Sequence, residues 1–136
     1  MSSEILYRSN SKITTEEFID LLKRSTLDQR RPVNEPERIK KMLDYGNVLI
    51  TAWANEKLVG ISRALTDHSF CCYLSDLAVD ETYQHQGIGK ELIKRTHEIA
   101  GPHTMLILLA APAAVNYYPK IGMERFEHCF VIKRKS

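Results

Sequence analysis

The residues best suited to chemistry lie in one short run, Gln84-His85-Gln86-Gly87-Ile88-Gly89-Lys90. It separates an apolar stretch from an amphipathic one and reads as a strand-to-helix turn. A helix start leaves several backbone N–H groups without partners and carries about half a positive charge, so it attracts anions. Gly87 and Gly89 remove side chains that would hold a ligand away from those donors. Two glycines so near a helix start cost helix propensity, which some gain must offset. A tight turn with no ligand is the competing reading, because short glycine patterns recur by chance. Two familiar phosphate motifs are excluded. A dinucleotide fingerprint needs glycine where Leu92 stands. A P-loop needs glycine at Gln84 and a hydroxyl residue at Glu91.

The elements around this turn follow from periodicity. Cys71 to Val79 is apolar, without Pro or Gly, and suits a strand in a sheet interior. Ile88, Leu92, Ile93, Ile99 and Ala100 share one helical face, Glu91 pairs with Arg95 on the polar side, and Gly101-Pro102 ends the helix. Upstream, Glu4 to Arg8 reads as a first strand. Thr14 and Glu17 form a capping box that opens a helix to about Ser25, with Phe18, Leu21 and Leu22 inward. After a polar loop, Asp28 to Asn34, a second helix starts at Asn34 or Glu35. It carries Pro36 in its first turn, Ile39, Met42 and Leu43 inward, and Gly46 past its end. Asn47–Ala54 and Lys57–Leu65 form a hairpin through Asn55-Glu56. Downstream, Thr104 to Ala110 is expected as a fully buried strand parallel to Cys71–Val79. Ala113 to Ile121 is expected as a short helix and Phe126 to Lys133 as the last strand.

Size and composition set the bounds. At 136 residues, 43% hydrophobic and 26% charged, the sequence reads as one domain, 1–136, of a soluble globular protein. A net charge of +2 implies neither nucleic-acid nor membrane binding. Three cysteines without a Cys-x-x-Cys or a close His pair are expected to be reduced and to bind no metal, in a cytoplasmic protein. The polar residues after Met1 do not read as a secretory signal, and no apolar run approaches the roughly 20 residues of a membrane span.

Gln84-x-x-Gly87-x-Gly89, after a strand ending Leu77-Ala78-Val79, resembles the acyl-CoA-binding motif of the GNAT superfamily, the Gcn5-related N-acetyltransferases. The resemblance implies that backbone amides from Gln84 to Lys90, those of His85, Gln86 and Ile88 included, hold the CoA pyrophosphate. It also implies that the main chain of Leu77, Ala78 and Val79 pairs with the pantetheine arm. The element order is similar to the GNAT fold, which implies an α+β class: a mixed, mostly antiparallel sheet flanked by helices, with splayed central parallel strands. Splaying leaves strand amides and carbonyls that the arm can satisfy.

A second segment, Ala113 to Met123, resembles the family pattern at Ala114, Tyr117, Tyr118 and Gly122, with Met123 in place of an aromatic. The resemblance gives Tyr118 the role of acid to the departing CoA thiolate and implies cofactor contacts at Asn116 and Tyr117. A phenol of pKa about 10 oriented beside a thiolate of pKa about 8.5 can supply that proton. A packing tyrosine is the other reading. Ala111 departs from the asparagine that the family often carries there, and Pro119 is awkward inside a helix.

An alkylamine of pKa about 10 must lose a proton before it attacks. In the family, an acidic residue on this strand or a water chain removes it. Asp76, Ser75 and Tyr73 are candidates here, with Asp76 the only carboxylate in the strand. Alternation puts Asp76 on the face opposite Tyr73 and Ser75 unless a bulge intervenes, and a structural Asp is an equal reading. His68 is expected in solvent, His85 in a backbone role and His97 on the outer helix surface. Arg24, Arg30, Arg31, Arg38, Lys40 and Lys41 form either a solvated face or, at Arg30-Arg31, a contact for an acceptor carboxylate or phosphate.

The reaction expected is acetyl transfer from acetyl-CoA, as co-substrate, to a primary amine by direct attack in a ternary complex, with a small molecule or a protein as acceptor. A CoA-binding sensor or interaction module without turnover is the alternative, and an acyl-enzyme at Cys71 or Cys72 a third. The oligomeric state stays open, a homodimer included.

Overall fold

The computed structural model describes residues Glu4 to Ser136. Its strands occupy the apolar runs: β1 (Ile5–Ser9), β2 (Val48–Ala54), β3 (Lys57–Thr66), β4 (Cys71–Val79) and β5 (Met105–Leu108). They make one sheet in chain order, antiparallel except for the pair β4–β5. A parallel pair needs a crossover, which α3 (Ile88–Ala100) supplies.

Each face of the sheet is covered by amphipathic helices. On one, Ile88 and Leu92 of α3 pack against Ile50, Ala52 and Val59. Gly60 permits that approach, since a Cβ there would stand 3.1 Å from Ile88 Cγ2 and 3.2 Å from Leu92 Cδ1. A buried hydrogen bond, Ser62 Oγ to Thr96 Oγ1 at 2.6 Å, ties the helix to β3. On the other face lie α1 (Thr15–Arg24) and α2 (Pro36–Tyr45), whose Phe18, Leu21, Leu22 and Ile39 are buried with Leu58, Ile61 and Ala78. The capping box forms in both directions: Glu17 N–H donates to Thr14 Oγ1 (3.0 Å) and Thr14 N–H to Glu17 Oε1 (2.9 Å). Ten-residue helices are marginal alone, and burial worth about 1.5–3 kcal/mol per large side chain holds them.

The feature that shapes the molecule is a bulge in β4. Arg63 pairs with Asp76 and Ala64 with Leu74, so Ser75 is passed over. One extra residue inverts the alternation. Cys72 and Leu74 belong to the core under α3, whereas Ala78 belongs to the core under α1 and α2. The β4–β5 pairing covers Cys71–Leu74 against Met105–Leu108 and stops at the bulge. Beyond it the strands part.

Three expectations change downstream of α3. Residues 104–110 form only the four-residue β5, whose side chains alternate between exposed and half-buried rather than being fully buried. It is the edge of the described sheet, so one flank lacks a neighbour. Residues 113–121 do not make a continuous helix. The chain forms a 3-10 turn at Pro112–Ala114 and then α4 (Tyr117–Lys120), which puts Pro119 in a first turn, where no N–H is required. Gly122, at φ +96°, turns the chain out of α4. The expected last strand, Phe126 to Lys133, does not form: these residues are irregular, with Phe130 90% and Ile132 100% exposed.

Candidate active site

The opening between β4 and β5 becomes a cleft of about 670 Å³. One wall is β4 from Leu74 to Val79, without Asp76. The second is the end of β5 and the chain beyond it, including Leu108, Leu109, Ala111, Ala114 and Tyr118. The third is the loop between α1 and α2, with Ser25, Thr26, Gln29, Arg30 and Arg31. Leu77, Ala78, Val79, Gln84 and Tyr118 therefore line one cleft. The loop wall has no signal in the sequence apart from the Arg30-Arg31 pair. Its position depends on Thr26 in the left-handed region (φ +68°) and on a 3-10 turn at Leu27–Arg30.

The turn after β4 is fixed at both ends. Asp80 Oδ1 accepts from Thr82 N–H (2.8 Å) and Thr82 Oγ1 (2.7 Å), and Asp80 Oδ2 accepts from Arg24 Nη1 (2.6 Å). Burial alone would raise the Asp80 carboxyl; Thr82 and Arg24 outweigh it and hold the group down at about 2. Gln84 Nε2 donates to Val79 O at 3.1 Å, closing the turn on the strand it leaves. His85 and Gly87 both take positive φ, +65° and +82°, and a Cβ added at Gly87 would meet nothing within 4 Å. The space in front of the first α3 amides is thus open on the Gly87 side. His85, Gln86 and Lys90 are exposed, whereas the Ile88 side chain is core, leaving only its main chain to serve a ligand.

Tyr117 and Tyr118 stack edge to face, with centroids 5.2 Å apart, and diverge in role. Tyr118 lines the cleft; burial, then the neighbouring Tyr117, pushes its hydroxyl above the usual tyrosine value and keeps it protonated. The Tyr117 hydroxyl instead sits at the start of α3, 3.0 Å from where a Gly89 Cβ would stand. Burial raises that hydroxyl too, and the Lys90 backbone N–H beside it partly offsets the rise. Asn116 is exposed and its Oδ1 accepts from Arg125 Nη2 (2.9 Å), so Asn116 is turned to the tail rather than the cleft.

Asp76 is the correction. Because the bulge rotates it under α1 and α2, its carboxylate is fully buried and outside the cleft wall. One oxygen accepts from Arg31 Nε and the other from Arg63 Nε. Arg31 Nη2 also donates to Ser75 O (2.7 Å), Arg63 Nη1 to Met42 O (2.9 Å) and Arg63 Nη2 to Ser75 Oγ (3.1 Å). With each oxygen taken by a guanidinium and none facing the cleft, the carboxylate is not placed to reach an amine there. Asp76 anchors the bulge. Tyr73 also lies outside the cleft, and Ser75 Oγ is occupied by Arg63. His68 Nδ1 is 3.2 Å from Ile99 O, and His97, half-buried rather than on the outer surface, has Nε2 2.8 Å from Thr104 O. Neither they nor the cysteines line the cleft. Among the described residues no group of His, Cys, Asp and Glu could hold a metal ion, and no helix is long and apolar enough to cross a membrane.

Residues 17–132 match the family model described as an acetyltransferase (GNAT) domain. The chain is 34% identical over 71 residues to GCN5-related N-acetyltransferase 2, chloroplastic, of Arabidopsis thaliana, covering 51% of this chain and 28% of that protein. It is 29% identical over 121 residues to an uncharacterized N-acetyltransferase ycf52-like of Prochlorococcus marinus, 82% of this chain and 65% of that one. The chain thus spans less than a third of the plant relative's length and about two thirds of the other's. Among solved structures, the aminoglycoside N-acetyltransferase AAC(6')-Iy in complex with CoA superposes with a TM-score of 0.74 at 16% identity, covering 100% of this chain and 98% of that one, a likeness of fold. The family match spans most of the described chain, and the chain belongs to the GNAT acetyltransferase family.

Proposed function

We propose that this chain, as a single domain, moves the acetyl group of acetyl-CoA to a primary amine by direct attack in a ternary complex. One juxtaposition carries the reading: Tyr118, whose hydroxyl is held protonated, lines the same cleft as Leu77 to Val79 and Gln84. The amides at the head of α3 take the diphosphate, with Gly87 leaving room for it. Past the bulge, the flank of β4 that β5 no longer covers takes the pantetheine arm, and one of its amides polarises the thioester carbonyl.

The amine nitrogen bonds to the carbonyl carbon, the carbon–sulfur bond breaks, and sulfur takes the Tyr118 proton. The nitrogen gives its surplus proton to solvent, and Tyr118 regains one from solvent. Burial that raises the phenol also raises a thiolate in the same cleft, so the proton transfer stays near balance. Asp76 has no part in proton removal.

Replacing Tyr118 with Phe tests this. Turnover should fall 10²- to 10⁴-fold, the usual worth of a positioned acid, with acetyl-CoA affinity changed little. Unchanged turnover removes Tyr118 from the mechanism.

A second reading, a CoA-binding module without turnover, draws on the absence of carboxylate and imidazole from the cleft wall among the described residues. Acetyl-CoA binding without consumption across a broad amine panel would favour it.

A further inference from the structure

We infer that the acceptor is an amine that also carries an anionic group, a carboxylate or a phosphate-like group, and that Arg30 is the residue that holds it. This rests on the acetyl-transfer reading above and names the class of molecule that reading leaves open.

The cleft has a definite charge. Its lining includes two arginines, Arg30 and Arg31, and no Asp or Glu among the described residues. Arg31 is committed: Nε donates to Asp76, Nη1 to Arg30 O (2.8 Å) and Nη2 to Ser75 O (2.7 Å). Together with Arg63, the Arg31–Asp76–Arg63 group keeps one positive charge in excess at this wall. Arg30 is exposed, and among the described residues its guanidinium has no ion pair or hydrogen bond. The other basic side chains of this region are mostly spent: Arg24 on Asp80 and Asp20, Arg38 on Glu35, Lys40 on Asp44. Arg31 Nη1 on the Arg30 carbonyl also fixes the main chain of Arg30, which lines the cleft.

The location matters as much as the sign. Arg31 grips Ser75, the bulge residue at which β4 and β5 separate. Arg30 is the neighbour in sequence of Arg31 and lines the same cleft, on a different wall from Tyr118. An unpaired guanidinium offers a fork of donors that fits carboxylate and phosphate, and an acceptor with only ammonium groups meets like charge with no counter-ion. An aminoglycoside, with several protonated amines, is thus a poor match to this cleft, although an aminoglycoside N-acetyltransferase shares the fold.

The test compares three amines with the purified chain: 3-aminopropylphosphonate, 3-amino-1-propanol and neamine, each followed by acetyl-CoA consumption. The phosphonate should be used with kcat/KM at least tenfold above the alcohol, and neamine least of all. In Arg30→Gln the phosphonate-to-alcohol ratio should collapse towards one through KM for the phosphonate. Calorimetric titration of 3-aminopropylphosphonate into the CoA-saturated protein gives a second readout, with heat of binding lost in the variant. Equal use of phosphonate and alcohol, or preference for neamine, overturns the inference and leaves amine acetylation standing. Weakened acetyl-CoA binding in Arg30→Gln with an unchanged ratio overturns it too, by giving Arg30 to the co-substrate. No heat with acetyl-CoA at all defeats the transfer reading, and this inference with it.

Discussion

Asp76→Asn separates an anchor from a base. The substitution keeps size and shape but removes the negative charge shared by Arg31 and Arg63. Breaking a buried ion pair from one side costs about 3–5 kcal/mol, because the surviving charge stays buried without its partner. The Arg31 side chain is 20% exposed and can be partly rehydrated; that of Arg63 is 7% exposed and cannot. The Asn carbonyl can still accept from one of them. These considerations put the loss near the lower end, about 3 kcal/mol, a large share of the 5–15 kcal/mol a domain commonly has. Urea unfolding should show the midpoint falling with its slope unchanged. Arg63→Gln should cost less, because Asp76 keeps Arg31 as a partner, and the double variant should cost less than the two added, because the Arg63 charge is then not left buried without its carboxylate. Turnover per folded molecule should fall only a few-fold. A loss of 10² or more in turnover with an unchanged urea midpoint would refute the anchor and restore Asp76 as the base.

The remaining predictions test other parts of the molecule. Asp80 is held at about 2, below the ordinary 3.8, so its contribution is complete above pH 4 and is lost as pH falls from about 4 through 2; at neutral pH it amounts to about 2 kcal/mol, and Asp80→Asn should flatten that part of the acid-unfolding curve. No carboxylate or imidazole lines the cleft among the described residues, and Tyr118 stays protonated past the ordinary phenol value, so log kcat/KM should rise with unit slope from pH 7 to 9; a plateau beginning near pH 6–7 would reveal a protein base. Gly87→Asp should weaken CoA binding at least tenfold by setting a carboxylate where the proposed function puts the diphosphate. Its effect on thermal unfolding should be small, because the φ +82° strain of about 1–2 kcal/mol is offset in part by a better helix cap. Tyr117→Phe removes a hydroxyl that sits against the Lys90 amide, and CoA binding should tighten by up to about fivefold, the worth of one hydrogen bond; calorimetry would show weaker binding if Tyr117 instead holds the ligand.

Local features are legible in the sequence because they are set by neighbours in the chain. The capping box at Thr14 and Glu17, the Cys71–Val79 strand and the α3 start at Ile88 all depend on spacings of four residues or fewer. The cleft position of Tyr118 is legible only through resemblance, since no periodicity brings residues 77–79 and 118 together. Asp76 escapes a sequence reading for a definite reason. Period-2 alternation chooses a face, but a one-residue bulge reverses it without any mark in composition, and the partners Arg31 and Arg63 lie 45 and 13 residues away. The end of the chain differs for a related reason. Thr104 to Ala110 and Phe126 to Lys133 have strand composition, yet whether such residues pair depends on where the chain goes after Gly122.

The bulge has two consequences that otherwise look separate. Inserting Ser75 ends the β4–β5 pairing at Leu74 and Leu108, which opens the cleft and exposes one flank of the strand. It also turns Asp76 inward, where it collects Arg31 and Arg63, and those arginines in turn hold Ser75 through its carbonyl and its hydroxyl. The opening is thereby held by charge rather than by packing, and Arg31 brings the α1–α2 loop, with Arg30, to the cleft. Stability of the bulge and selectivity for the acceptor should consequently be coupled. A change at Asp76 that frees Arg31 should blur discrimination between anionic and neutral amines before it abolishes transfer, whereas a change at Arg30 should blur discrimination with no cost in stability. Measuring both variants for selectivity and urea midpoint separates the two effects, and equal loss of stability in both would show that Arg30 belongs to the scaffold.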